Sequence, residues 1–352
     1  MNARYLIGLC LALTLLAGCV PIAPMARQPA AMTMEQQKIH NAMSAGLAAV
    51  ATDAAVLDGE NQLREGSNDW TCITDDPMTP LDDPMCFNAS WGELIGTEPN
   101  AEREAKALFG LSYMLKGGAV ADNANPGATE PPEGMDWGID PPHMMLVSSS
   151  DLDPNVYSTD HHWGGPYIMF EGTPAEHLMI PIDNAPLPSA DDPIQNAMSA
   201  APLRVAENAT ILGVSAAGAI EVVREGDNGW TCLPDDPATP TNDPLCGDAQ
   251  WAEWIDAFFS GREPDITAVG LAYMLQGGSG ASASDPTLAA PPEGQGWMVD
   301  GPHIMVLAPW KLDPAVYPTD PMAPGPYIMF EGTPYEHLMV PVTETPVMEM
   351  QP

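Results

Sequence analysis

The sequence predicts an α+β fold present twice in tandem, each copy an antiparallel sheet with short helices. Three observations predict it. From Arg64 to Pro181 the chain repeats itself at a constant offset of 160 residues, and Pro166-Tyr-Ile-Met-Phe-Glu-Gly-Thr-Pro174 recurs letter for letter as Pro326–Pro334. Trp251 to Phe259 carries apolar residues at the three- and four-residue spacing of a helix. Each copy then closes on short runs of strand character bounded by Gly and Pro. A period this long lies outside the solenoid and propeller range, so each copy is expected to be a domain that buries its own core. Covalently joined homologous copies pair most naturally about a pseudo-two-fold axis.

The chain opens on an address. Arg4 supplies a positive n-region, Tyr5 to Leu15 an apolar stretch too short to remain as a membrane-spanning helix, and Leu16-Ala17-Gly18 a small-residue cleavage site. With Cys19 these residues resemble the lipobox of bacterial lipoproteins. The resemblance implies cleavage before Cys19, acylation of its thiol, and a protein held on a bilayer by lipid, where two or more acyl chains anchor stably. Val20 lacks the aspartate that the family associates with inner-membrane retention, which implies an outer-membrane location in the cell envelope, facing the periplasm or the exterior. Residues 1–18 are therefore read as a signal peptide and 19–35 as a lipidated flexible spacer.

The first repeat domain follows over 36–182, a Pro/Asp/Ala linker over 183–193, the second repeat over 194–342, and a loose tail over 343–352. Each repeat opens on Asn-Ala-Met-Ser (Asn41 to Ser44; Asn196 to Ser199), read as a short helix. The offset there is 155, so five residues are missing from the first copy. The simplest place is the turn that the second copy fills with Ser215 to Gly218, between strands Ala209–Val214 and Ala219–Arg224 of a hairpin. Cys72, Cys86, Cys232 and Cys246 form two identical intervals, which argues for bridges Cys72–Cys86 and Cys232–Cys246 rather than the other two pairings. Each would contribute on the order of 3 kcal/mol in an oxidising compartment. Zinc is the weaker alternative, because no short Cys-x-x-Cys spacing or adjoining histidine is present. After the helix at Trp251–Phe259, strands are expected at Val269–Leu275, His303–Leu307, Tyr327–Glu331 and His337–Val340, with counterparts in the first copy.

A formal net charge of -37 excludes nucleic acid as a natural partner, since phosphate backbones demand clustered cations and the chain has four lysines, Lys38, Lys106, Lys116 and Lys311. Anionic headgroups repel the body too, so membrane contact should run through the acyl chains alone. Such an acid excess suits a high-salt habitat, where counterions screen self-repulsion. Apolar residues make up 45% of the chain, enough for packed cores.

Two constellations could carry chemistry. On the last strands, alternation puts His143 with Met145, Tyr167 with Met169 and Glu171, and His177 with Met179. The second copy repeats them as His303, Met305, Tyr327, Met329, Glu331, His337 and Met339. Two histidines and a carboxylate per copy (His143, Glu171, His177; His303, Glu331, His337) are a minimum set for a transition metal, and Met145, Met179, Met305 and Met339 would add soft thioethers favouring Cu(I). A five-residue loop over 172–176 would face Glu171 with His177; a four-residue loop would send His177 to the other side. The same residues also suit a cross-strand pair and core filler. The disulfide loops offer Asp75, Asp76 and Asp83, with Asp235, Asp236 and Asp243, as hard oxygen ligands for calcium, although Asp-Pro is also ordinary turn chemistry. Matched tryptophans (Trp70, Trp91, Trp137; Trp230, Trp251, Trp297) read as core anchors before they read as a sugar groove. His161-His162 lacks a counterpart and reads as a surface loop.

The runs Asn-Gly-Trp-Thr-Cys, Asp-Asp-Pro-x-Thr-Pro-x-x-Asp-Pro-x-Cys and Pro-Tyr-Ile-Met-Phe-Glu-Gly-Thr-Pro resemble a group of uncharacterised exported bacterial proteins, a resemblance that covers nearly all of each copy and implies no activity. No nucleophile elbow or phosphate loop is present. The expectation is a lipid-anchored binding protein with a metal or small-ligand site in each repeat. The alternatives are a metal-dependent or acid/base enzyme with its site between the repeats, and a structural or interaction lipoprotein.

Overall fold

The computed structural model describes residues 31–214, 220–345 and 347–350. The signal, Cys19 and Ser215 to Gly218 lie outside the described residues. In the first repeat, helices α1 (Met34–Met43) and α2 (Ala48–Ala51) precede strands β1 (Ala55–Asp58), β2 (Asn61–Arg64), β3 (Trp70–Ile73) and β4 (Met85–Asn88). Helices α3 (Ala89–Leu94) and α4 (Ala101–Glu104) follow. Strands β5 (Phe109–Met114), β6 (Gly118–Val120), β7 (Gly138–Asp140), β8 (His143–Ser148), β9 (Tyr167–Met169) and β10 (His177–Pro181) complete the copy. The second repeat runs α5 (Pro193–Met198), α6 (Leu203–Ala206), β11 (Thr210–Val214), β12 (Ile220–Arg224), β13 (Thr231–Leu233), β14 (Leu245–Gly247), α7 (Ala249–Ser260), β15 (Gly270–Met274), β16 (Gly278–Gly280), β17 (Trp297–Asp300), β18 (His303–Leu307), β19 (Tyr327–Met329) and β20 (His337–Pro341), with β21 (Met348–Met350) after it.

Each repeat forms one eight-stranded sheet, in the order β2-β1-β3-β4-β5-β8-β10-β9 and its counterpart β12-β11-β13-β14-β15-β18-β20-β19. The two repeats therefore share one topology, as expected. The sheets are mixed rather than wholly antiparallel, because β1 pairs with β3 and β11 with β13 in parallel. The first copy's deletion falls where the hairpin should shorten: β1 and β2 are joined by Gly59-Glu60 alone, and Gly59 takes a left-handed φ of 60° that suits so tight a turn. Cys72 faces Cys86 and Cys232 faces Cys246 across antiparallel pairs, and both bridges form as expected.

Alternation along the strands sorts side chains onto two apolar faces. Leu111, Tyr113, Met144, Leu146, Ile168, Leu178 and Ile180 point one way; Met145, Val147, Tyr167, Met169 and Met179 point the other, beneath Trp91 and Leu94 of α3. The first set does not close on itself. It forms one continuous core with Ile211, Leu271, Tyr273, Ile304, Val306, Leu338 and Val340 of the second repeat. The expectation of two independent interiors is corrected here: a sheet apolar on both faces needs a cover for each, and while α1, α2, α5 and α6 border the shared inner core without closing it, α3 and α7 cover the outer face. Each repeat keeps a smaller core of its own there, the second one around Trp251, Trp254, Met305, Tyr327 and Met339 under α7.

Reciprocal contacts mark the pseudo-two-fold relation. Tyr157 Oη donates to Asp248 Oδ2 at 2.6 Å, and Tyr317 Oη, 160 residues on, meets Asn88 Nδ2 at 3.0 Å. Asn88 and Asp248 are also the N-caps of α3 and α7, and α7 ends on Gly261 at φ 65°. The tail is not loose throughout, since β21 pairs antiparallel with β17.

Candidate functional site

The outer-face histidines are placed by strand register. His177 faces Met169, Met179 faces Tyr167 on one side and Met145 on the other, and His143 faces Pro181. The second repeat matches this with His337 opposite Met329, Met305 opposite Met339, and His303 opposite Pro341. Neither expected loop length is realised. Strand β9 ends at Met169, and Phe170, like Phe330, takes φ 57°, so the chain turns out of the sheet before Glu171 and Glu331. Both glutamates are exposed, and Glu331 pairs with Lys311 at 3.4 Å. Along β8 and β10, His143 and His177 sit at opposite ends of the Met145–Met179 pair. The structure does not bring His143, Glu171 and His177 together, nor His303, Glu331 and His337. Among the described residues no three His, Cys, Asp or Glu side chains are grouped to hold a metal ion.

Each histidine instead holds its own strand start. The Nδ1 atoms of His143, His177, His303 and His337 lie 2.6 to 2.9 Å from the carbonyls of Pro141, Ala175, Gly301 and Tyr335. Donation there places the proton on Nδ1 and leaves Nε2 as an acceptor. All four Nε2 atoms are buried without a partner. Burial pushes His177 and His337 down to about 4, so both are neutral at physiological pH. The shared carboxylate of the hairpin is the next one along: Glu176 and Glu336 each accept from the glycine N–H at 172 or 332, at 2.7 Å.

The aspartates of the disulfide loops are turned inward on the loops' own amides. Asp75 Oδ1 accepts from Asp83 N at 2.9 Å, Asp83 Oδ2 from Thr79 Oγ1 at 2.7 Å, and Asp76 Oδ1 from Met78 N at 2.9 Å. Asp235, Asp243 and Asp236 repeat the pattern at 3.0, 2.6 and 2.9 Å. Burial, with Asp235 beside it, pushes Asp243 up to about 6. These contacts are the turn chemistry the Asp-Pro pairs foretell. Of the matched tryptophans, Trp70, Trp91, Trp230 and Trp251 are buried, while Trp137 and Trp297 are half-buried.

A concavity lies at the end of the second sheet. A cavity of about 350 Å³ is lined by Asp300 from the end of β17, His303 from the start of β18, Tyr327 of β19, and Met339 and Pro341 of β20. Pro321 to Gly325 form one wall, Thr343 to Thr345 and Val347 another, and Leu47 and Ala49 of the first repeat close it. Tyr327 Oη donates to Asp300 Oδ1 at 2.8 Å, and burial followed by the Asp300 charge raises the phenol far above its ordinary range. Glu344 Oε1 accepts from Ala48 N at 2.8 Å, tying the wall to the first repeat. The polar groups here, the Asp300 and Glu344 carboxylates with the hydroxyls of Tyr327, Thr343 and Thr345, are set in an apolar shell, the composition of a small-ligand pocket.

The first repeat has the same Asp140–Tyr167 bond at 2.8 Å and the same histidine, but a different wall. Trp163 stands where the second repeat has Ala323. Its ring lies against Gly165, the counterpart of the cavity-lining Gly325, so closely that a Cβ on Gly165 would fall 2.1 Å from it. His161 adds a ring 6.2 Å from Tyr167. Trp163 and His161 of the unmatched segment therefore fill this place in the first repeat, while His162 stays exposed. Sequence reasoning put His303 and Tyr327 in the strand constellation and passed over Asp300, which joins them. The signal was there, since Asp-x-Pro-His recurs as Asp140 to His143 and Asp300 to His303. No protein family, curated protein or solved structure matches the chain.

Proposed function

We propose that this is a lipid-anchored protein of the bacterial cell envelope that binds a small organic ligand in the cavity beside Asp300, His303 and Tyr327. The anchor rests on the Leu-Ala-Gly-Cys run ending at Cys19, with outer-membrane placement following from Val20. No helix among the described residues is long and apolar enough to cross a membrane. The binding role rests on one observation: an apolar-walled cavity of about 350 Å³ bordered by the Asp300 and Glu344 carboxylates. Carboxylates bordering an apolar cavity are met best by a ligand that supplies donors, because hydrogen bonds to a charged acceptor are the stronger ones. The ligand chemistry is thus an amine or alcohol on a compact apolar body, and the acidic lining of Asp300 and Glu344 favours the amine.

Replacing Ala323 with tryptophan, the residue at the matching place in the first repeat, fills the cavity while leaving the acceptors in position. Thermal-shift screening of small amines and alcohols should find stabilisers of the wild-type protein that lose their effect on Ala323→Trp. Stabilisers that act equally on both proteins, or a screen in which none acts, would overturn the reading.

A further inference from the structure

We propose a second, separate binding site in the second repeat: an open aromatic groove that takes an oligosaccharide free of acidic groups. The groove is about 880 Å³ and runs past Phe258, Tyr335, Phe330 and Trp297. These rings come from α7, the β19–β20 turn and the start of β17. Phe258 stacks on Trp254 at 5.2 Å with planes 5° apart, and Tyr335 meets Phe258 edge-on at 5.5 Å. Tyr335 is fixed from both ends, donating from Oη to Arg262 O at 2.7 Å while its carbonyl accepts from Trp254 Nε1 at 3.3 Å.

The first repeat is an internal control for what folding needs. Helix α3 has 6 residues where α7 has 12. At the 160-residue offset, Trp254, Phe258 and Tyr335 correspond to Leu94, Glu98 and Ala175. The same sheet, disulfide and outer core form there without the three rings. Of the rings that line the groove, Trp297 and Phe330 recur in the first repeat as Trp137 and Phe170, whereas Phe258 and Tyr335 belong to one copy and stand half open on the surface over the buried Trp254.

Its setting identifies the ligand class. Held aromatic planes half open to water suit the apolar faces of sugar rings, and Thr239, Ser279 and Ser282 line the same groove, where Thr239 and Ser279, already donating to Asp243 at 2.6 and 3.5 Å, offer acceptor lone pairs to sugar hydroxyls. The charges on the lining are Asp236, Glu263, Asp285 and Arg262. Arg262 is already engaged by Glu253 at 2.8 Å and Asp256 at 2.6 Å, so the remaining field is negative and opposes uronate or sulfated sugars.

The test is calorimetric titration of the whole exported chain with hexamers of β-1,4-linked glucose, of β-1,4-linked N-acetylglucosamine and of α-1,4-linked galacturonate. A neutral hexamer should bind, the galacturonate hexamer should not, and Trp297→Ala or Tyr335→Ala should weaken binding by about tenfold or more. Tyr335→Phe keeps the ring and should bind nearly as well as the wild type. Tyr335→Ala installs the residue that the first repeat carries at this place, so its melting curve should stay cooperative. His303→Ala should leave sugar binding unchanged, which separates this site from the cavity above. Absence of binding by both neutral hexamers at millimolar concentration, equal binding of the acidic one, or unchanged affinity in the Trp297→Ala, Tyr335→Ala double variant would overturn the proposal.

Discussion

Tyr157 of the first repeat donates to a carboxylate, Asp248 Oδ2, at 2.6 Å, whereas its counterpart Tyr317 meets an amide, Asn88 Nδ2, at 3.0 Å and donates to Phe109 O at 3.0 Å. The two positions do the same work. Asn88 Oδ1 accepts from Trp91 N and Leu111 N, capping α3 and tying it to β5, and Asp248 accepts from Trp251 N and Leu271 N in the same way. Only one of the pair carries charge, in the middle of a shared core.

That difference predicts a pH dependence. Burial raises Asp248 to about 6 from an ordinary 3.8, against the opposing hydrogen bonds of Tyr157 and the backbone. A carboxyl whose folded pKa is raised favours the folded state below 3.8, and that advantage is lost as pH climbs through about 6. Asp248→Asn copies the neutral arrangement of the first repeat. Relative to the wild type it should gain on the order of 2 to 3 kcal/mol at pH 8 and almost nothing near pH 3.5. Urea unfolding of both proteins across that range checks it; an offset that does not change with pH would count against a charged buried Asp248.

The shared core predicts how the molecule unfolds. Each disulfide closes a loop of 14 residues' separation and should contribute on the order of 3 kcal/mol. Because Leu111 and Tyr113 pack into one cluster with Leu271 and Tyr273, loss of the Cys72–Cys86 bridge should lower the stability of both repeats together. Calorimetry of a Cys72→Ala, Cys86→Ala variant should show one transition at reduced temperature. Two resolved transitions, one at the wild-type position, would mean the repeats are independent.

How much of this was legible in the sequence follows from which interactions are local. The 160-residue offset, the Cys72 and Cys86 spacing and the alternation of His143 with Met145 are properties of neighbouring residues, and they foretold the duplicated sheet, the bridges and the outer faces. The pairing of those faces is not local. Leu146 and Val306 read as apolar strand residues whether they meet a helix of their own repeat or the sheet of the other. Hairpin register failed for a similar reason: the left-handed turn at Phe170, a bulky residue in a conformation that usually favours glycine or asparagine, gives no warning in composition. It removed Glu171 from the face where alternation had put it. Parallel pairing of β1 with β3 likewise depends on a crossover that short strand signals do not reveal.

The contrast between Trp163 and Ala323 predicts a cavity by subtraction. Trp163 packs against both the shared and the outer core, so Trp163→Ala should cost roughly 2 to 4 kcal/mol. It should also leave a space beside Asp140, His143 and Tyr167 matching the one beside Asp300, His303 and Tyr327. Any ligand found for the second repeat should then bind this variant at two sites per chain, counted by native mass spectrometry. A stoichiometry that stays at one would show that Gly164 to Pro166 collapse into the space left by the indole.

Docking of the tail against β17 is written into two glycines. A Cβ on Gly296 would fall 2.0 Å from Met350 O, and one on Gly301 would fall 2.5 Å from Thr345 Cβ. At the same places the first repeat, whose chain continues into the linker, has Asp136 and Pro141. Gly296 also donates its N–H to Glu349 Oε1 at 2.8 Å, so the tail is held by side chain and ladder together. Gly296→Ala should therefore dislodge β21 without disturbing the main sheet. Met348 and Met350 are 51% and 42% exposed, so the stability lost should stay below about 1 kcal/mol. Thr343 to Thr345 and Val347 wall the cavity beside His303, and loosening them should speed ligand release far more than it lowers the melting temperature. Truncation after Val342 should reproduce both effects, and stopped-flow displacement would read the faster release. If Gly296→Ala released ligand at the wild-type rate while β21 exchanged its amide hydrogens freely, the tail would be no part of the cavity wall.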